Sequence, residues 1–279
     1  MTTRWWTTRI RIAVAVVAVA AVPATGNGEV PNAQALHAAQ TMFYNGRYVE
    51  AAAATNDRCT TAVMDLAGCE VRTSALLFQM RRAIGEPLDK EKAWAQCTVC
   101  PGLLTIFVAE TRQAQAAART YLKAHPDDVE TLFYLGKLDL NYVWLQLGTL
   151  GKKTGWDEYW EARRSLERVL KLSPGHVRAK VARAWIDYIV DTKMPRGTKW
   201  LLGGGNKKRG LQSVREAALV EADFFVKAEA DFALWDMQVR ERNIAGALAT
   251  ARRLAVDFPD NTELRKFLNT NGVTVNSRT

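Results

Sequence analysis

The sequence predicts an all-α protein assembled from helical hairpins, and three observations carry that expectation. Apolar residues recur at helical spacing through most of the 279-residue chain, which puts one apolar stripe on each segment. Strand signals are nearly missing, because no Asn-Gly turn joins two alternating apolar runs. Three segments also end alike: Tyr121 to Asp128, Val169 to His176 and Leu254 to Asn261 each run from an apolar last turn into a proline, Pro126, Pro174 or Pro259. Proline has no amide hydrogen and clashes with the preceding turn, so it stops a helix. Asp128 and Asn261, just beyond two of these prolines, can accept from the free amides of the next helix.

Taken in order, helices are expected over 32–45 and 48–62, with Gly46 supplying the tight turn between them. The next two cover 70–84 and 89–97, and a long helix over 103–124 follows Cys100, Pro101 and Gly102. Further pairs are 128–148 with 157–172, 176–192 with 207–220, and 222–241 with 244–257. A short helix over 261–269 closes the series, and 271–279 reads as a frayed tail. Twelve residues ahead of each stopping proline stands an alanine, Ala114, Ala162 or Ala247, small enough for two helices to approach closely. Three positions earlier stand Tyr159 and Ile244 in two of the segments and Thr111 in the third; Tyr48 and Ala51 repeat the bulky-to-small step. Leu132, Leu135, Leu166, Val169, Leu234, Ala247 and Leu254 are the expected core.

Gly46 to Ala51, Leu135 with Gly136, and Arg242 to Ala247 with Pro259 resemble the tetratricopeptide repeat. That family stacks antiparallel helix pairs of about 34 residues. The resemblance implies a right-handed superhelix, a solenoid over 32–270 with repeats starting near Asn32, Val129, Val177 and Ala228 and two long insertions inside repeats. Arg183 stands where a large apolar residue is usual in the family, and Asp231 where tryptophan is. No hairpin of such a stack buries its apolar face alone, so neighbours shield each other. First helices line the inner face. The resemblance therefore puts there Glu130, Phe133, Lys137 and Asn141, then Arg178, Val181, Trp185 and Tyr188, then Phe232, Asp236 and Arg240. Charges beside aromatics suit a protein or peptide partner; a solvated groove with no ligand is the plainer alternative.

The composition, 48% hydrophobic and 24% charged, is that of an ordinary globular protein. Eight prolines and eighteen glycines are too few for a disordered or collagen-like chain. Part of the net charge of +9 belongs to an address label: Arg4, Arg9 and Arg11 precede the apolar run Ile12 to Val22, followed by Pro23 and Ala24. Residues 1–24 read as a signal peptide cleaved near Ala24, with 25–31 as linker; cleavage removes three charges and leaves +6. The apolar run is 11 residues long, against about 20 for a spanning helix, so a retained membrane anchor is the alternative. A periplasmic or extracellular chain is out of reach of cytoplasmic DNA and RNA, so the basic charge does not point to nucleic acid.

Cys59, Cys69, Cys97 and Cys100 are an even set in an exported chain, which points to disulfides. Four cysteines allow three pairings, and the sequence does not choose; Cys59–Cys69 with Cys97–Cys100 is one of them. The Cys97–Cys100 spacing also fits a redox pair or half a zinc site. No histidine follows Cys100, which excludes covalent haem attachment, and no βαβ pattern surrounds the pair.

The second insertion carries the most basic loop, Arg196, Lys199, Lys207, Lys208 and Arg209 around Gly203 to Gly205. Its spacing is not that of a phosphate loop. It reads as a long turn capped by Asn206, or as a surface for an acidic partner or a lipid headgroup layer. The first insertion joins Gly148, Lys152 and Lys153 to Trp156 and Trp160, which are packing residues or a partner-binding edge. His37, His125 and His176 are scattered, the last two beside helix-ending prolines as caps. The acid pairs Asp127/Asp128 and Asp157/Glu158 sit at helix starts, where carboxylates favour the dipole. No nucleophile-and-base pattern and no cofactor motif emerges. The function expected is a non-enzymatic scaffold or adaptor in the cell envelope. The alternatives are a soluble subunit of a transport or secretion complex at the membrane surface, and a cysteine-based redox or metal protein.

Overall fold

In a computed structural model of the chain, the residues described are 29–59, 65–85, 87, 89–152, 154–194 and 199–272. The expected signal peptide, Arg196 and the end of the tail lie outside them. Among the described residues the chain is all-helical, with no strand: α1 (Glu29–Tyr44), α2 (Tyr48–Ala54), α3 (Leu66–Ile84), α4 (Lys90–Gln96), α5 (Cys100–Ala124), α6 (Val129–Val143), α7 (Trp156–Leu172), α8 (Val177–Lys193), α9 (Lys207–Ala217), α10 (Phe224–Arg240), α11 (Ile244–Asp257) and α12 (Thr262–Thr270). No single helix among them is long and apolar enough to cross a membrane.

Caps decide most boundaries. Asp128 accepts from Thr131 N at 2.8 Å, Asn206 from Arg209 N at 2.9 Å and Asn261 from Leu264 N at 3.0 Å. His176 caps α8 through Nδ1, 3.1 Å from Ala179 N. Gly46 has φ +74°, a left-handed turn that a side chain rarely adopts.

Several boundaries differ from the sequence expectation, four of them with a consequence for packing. Helix α1 begins at Glu29, inside the expected linker. Helix α2 stops at Ala54 rather than running to residue 62: Thr55 Oγ1 donates to the Ala51 carbonyl at 2.9 Å, and a 3-10 turn, Asn56–Arg58, takes over. Helix α3 begins at Leu66 because Asp65 accepts from Gly68 N. Helix α6 opens after Val143 into a π-helical turn, Trp144–Thr149, in which Leu150 N donates to the Leu145 carbonyl at 2.9 Å. Lys90 of α4 closes that end, donating to the Gly148 carbonyl.

Packing runs from neighbour to neighbour, α5 on α6, α6 on α7, α8 on α9, α10 on α11 and α11 on α12. The residues expected as core are all buried, with Leu166, Val169 and Ala247 fully so. They divide among clusters: Leu132, Leu166 and Val169 pack with α8, Leu234 with α8 and α9, and Leu254 with α12. Ala114, Ala162 and Ala247 are each fully buried, as close helix approach requires. Arg183 and Asp231, the two positions that depart from the expected repeat pattern, are met by ion pairs. Arg183 lies 2.7 Å from Asp187, and Asp231 lies 2.7 Å from Lys227 and 2.9 Å from Arg253.

The two ends of the chain also meet. The Tyr44 ring stacks on Phe232 at 5.3 Å and touches Phe258 at 5.4 Å. Asn45 Oδ1 accepts from Asp260 N at 3.1 Å, Asn261 Nδ2 donates to the Tyr44 carbonyl at 2.7 Å, and Arg82 pairs with Glu263 at 3.2 Å. The first helical hairpin therefore touches the last.

The sulfurs of Cys59 and Cys69 lie at disulfide distance, and so do those of Cys97 and Cys100, with Cα separations of 5.0 and 5.4 Å. The first bond ties the turn after α2 to α3. The second pins the start of α5, where Pro101 occupies the first turn, a place that lacks an amide partner anyway.

Candidate functional site

The sequence-expected site residues separate into three groups. Lys137 and Arg178 belong to the first, which lies where α3, α6, α8 and α10 converge. Lys137 Nζ lies 2.6 Å from Glu229 and 3.5 Å from Glu70; Arg178 reaches Glu70 at 3.3 Å and also pairs with Glu229. Two cations and two carboxylates thus balance. The Arg178 guanidinium stacks over Phe133 at 4.7 Å and reaches the Tyr134 hydroxyl. Burial alone would push the Glu229 carboxyl up, but the Arg178 and Lys137 charges hold it at about 2. Burial likewise works against the Lys137 ammonium, yet Glu229 and Glu70 raise its pKa above the usual value. Burial, with Glu229 beside it, pushes the Tyr44 phenol well up.

This cluster corrects the expectation of an open groove at the centre. Phe133, Asn141, Val181 and Tyr188 are buried, not presented to a ligand. The physical reason is α3, which lies across the inner side of α6: Asn141 Nδ2 donates to Ser74 Oγ at 3.0 Å and to Thr73 Oγ1 at 3.2 Å. Phe232 is used at the junction of the chain ends, against Tyr44 and Phe258. Glu130 stays exposed at the edge, 3.6 Å from His176, whose hydrogen bond lowers the Glu130 pKa.

The second group stays open. Trp185 on α8 is half-buried and meets Trp144 edge-on at 6.5 Å and Tyr188 at 5.7 Å. Arg240 on α10 lies over the Trp185 ring at 5.6 Å and pairs with Asp236 at 3.0 Å. Tyr188 OH donates to Glu241 at 2.8 Å. The result is a ledge with an aromatic floor and a charged rim, contributed by α8, α10 and the π-turn.

The basic insertion is the third group, and the fold neutralises most of it. Lys199 pairs with Asp191, Lys207 with Glu241 at 2.8 Å, and Arg209 with the buried Asp187 at 2.8 Å. Lys207 N also donates to Asp191 at 2.8 Å, which with Lys199 lowers the Asp191 pKa. Lys208 is exposed. Arg163 holds the glycine turn, donating to the Leu202 carbonyl at 2.7 Å and the Gly203 carbonyl at 2.9 Å. In the first insertion Trp160 packs on the core beneath Arg163, and Trp156 is 38% exposed.

Sequence reasoning missed Tyr44, Glu70 and Glu229, the partners that fill the centre, and Trp144, which extends the ledge. It also missed Asp139, a carboxyl set among Leu138 and Leu140 in the apolar stripe of α6. That placement was the available signal. Among the described residues no group of three or more His, Cys, Asp or Glu is placed to hold a metal ion.

Set against protein-family models, curated proteins and solved structures, the chain matches none.

Proposed function

We propose that the chain is an exported, non-enzymatic scaffold or adaptor of tetratricopeptide type, a right-handed solenoid that holds a segment of a partner protein in the cell envelope. The observation that carries this reading is the ledge: Trp185 half-buried with Arg240 on its face, beside Trp144 and Asp236. Aromatic and arginine anchors held in place before binding contribute most of the energy of an interface. The hairpin-on-hairpin contacts, the proline stops and the close-approach alanines support the repeat reading. The arginine-flanked apolar run and four paired cysteines support export.

The test places a photoreactive amino acid at Trp185 or at Arg240 in the full chain within its native envelope. One and the same partner should cross-link from both positions and not from the exposed Arg252 on α11. Trp185→Ala with Arg240→Ala should weaken that capture and leave helix content unchanged. Loss of helix content would make the pair structural and end the proposal.

A second reading, a subunit of an envelope transport complex at the membrane surface, is favoured by Trp200 and Leu201. They are 73% and 52% exposed on the turn held by Arg163. Sedimentation with anionic vesicles that is lost in Trp200→Ala would favour it.

A further inference from the structure

The seam of α5, α6 and α7 holds a carboxyl cluster separate from the ledge. Asp139 on α6 is fully buried. Its Oδ1 accepts from Gln115 Nε2 at 2.7 Å, while Oδ2 has no hydrogen-bond partner. Arg119 Nη2 stands 3.9 Å from Oδ1, but that guanidinium is committed to Glu161 of α7, with Nε donating to both carboxylate oxygens at 3.0 Å. A buried carboxylate with one neutral donor is poorly compensated. Glu161 holds the Arg119 guanidinium, so no free cation compensates a charge on Asp139, and the buried carboxyl keeps its proton.

We propose that Asp139, Glu161 and Arg119 form a proton-operated latch across α5, α6 and α7, closed while Asp139 holds its proton and loosened when that proton leaves. In the closed state the proton sits on the buried Asp139 carboxyl, while Glu161 remains ionised and paired with Arg119. On opening, the Oδ2–H bond breaks, the proton passes to solvent and no electrons are exchanged. Asp139 then competes with Glu161 for Arg119 and draws the guanidinium inward. Arg119 and Glu161 also border an open groove of about 300 Å³ beside Lys123, Leu135 and Arg164, so the latch changes that groove's charge and width.

The groups facing Asp139 are Gln115 and Arg119 from α5 and Glu161 from α7, with Glu158 acting on Arg119. Helix α3, which also packs on α6, turns Glu70 toward Lys137 instead. Burial and then Glu161 push Asp139 up to about 9. A folded value above the unfolded one gives stability that is complete below about pH 4 and is lost as pH rises through the folded value.

Carbon-13 carboxyl titration of the full chain tests this. One aspartate signal should titrate far above the others, together with a shift of the Arg119 side-chain nitrogen, and should vanish in Asp139→Asn. Glu161→Gln should move that titration down, because it removes the neighbouring negative charge. The thermal midpoint should fall with rising pH more steeply in the parent chain than in Asp139→Asn. If every aspartate titrates in the ordinary range, or the high titration survives Asp139→Asn, the latch is refuted. Should Asp139→Asn fail to fold, the direction of the Glu161→Gln shift decides alone.

Discussion

Glu229, at the centre where the chain's ends converge, and Asp139, in the seam of α5, α6 and α7, are both carboxyls removed from water, and they differ in their neighbours. Glu229 faces the ammonium of Lys137 and the guanidinium of Arg178. Asp139 faces one amide, and an arginine already held by Glu161. The first is kept ionised down to about 2 and the second is kept protonated up to about 9. Burial acts in the same direction on both, so the difference lies in whether a cation is free to compensate.

The largest expected effect comes from breaking the compensated site. Glu229→Gln leaves Lys137 and Arg178 with Glu70 alone, and the chain should lose roughly 3–5 kcal/mol in urea unfolding. Asp139→Asn should act the other way: at mildly alkaline pH it removes a proton that folding has to retain, and should add about 1–3 kcal/mol. Together the two carboxyls shape the pH profile. Glu229, lowered on folding, contributes stability that is present above about pH 4.5 and fades as pH falls toward about 2. Asp139, raised on folding, imposes a decline from about pH 4 upward. Unfolding free energy against pH should therefore rise on the acid side and fall on the alkaline side, and only the alkaline limb should flatten in Asp139→Asn.

Smaller effects sharpen the comparison at the surface. Arg209→Ala removes one of two arginines from the buried Asp187 and should cost about 1 kcal/mol. Lys208→Ala, on the same turn of α9, should change stability by less than about 0.5 kcal/mol. Equal losses from the two would mean that Arg209 does not serve Asp187.

Much of the helical scaffold was legible because its signals are local. Pro126, Pro174 and Pro259 stop helices; Asp128, Asn206 and Asn261 start them; Ala162 and Ala247 mark close approaches. The breaks inside elements were harder. The back-bonded Thr55 and the π-turn after Val143 depend on which carbonyls find other donors, such as Lys90 from α4. The ledge was partly legible, since Asp236 and Arg240 lie one turn apart on α10. The centre was not. Lys137 and Arg178 stood out as cations, but their acids come from α3 and α10, and the helical pattern of α6 and α8 names no such partners. Nor does any local pattern bring Asn45 to Asp260. A resemblance to repeats that stack in a line suggested an open inner face; at the centre α3 covers α6 instead, and only the ledge around Trp185 and Arg240 stays open.

The central claim is that the first hairpin lies against the last and, with α3, closes the centre around Glu229. Spin labels at the exposed Glu50, on α2, and the exposed Lys266, on α12, test it by pulsed electron-spin distance measurement. A single short, narrow distance that broadens in Glu229→Gln is the predicted result. A long, broad distribution in the parent chain would mean that the ends stay apart and the centre is open.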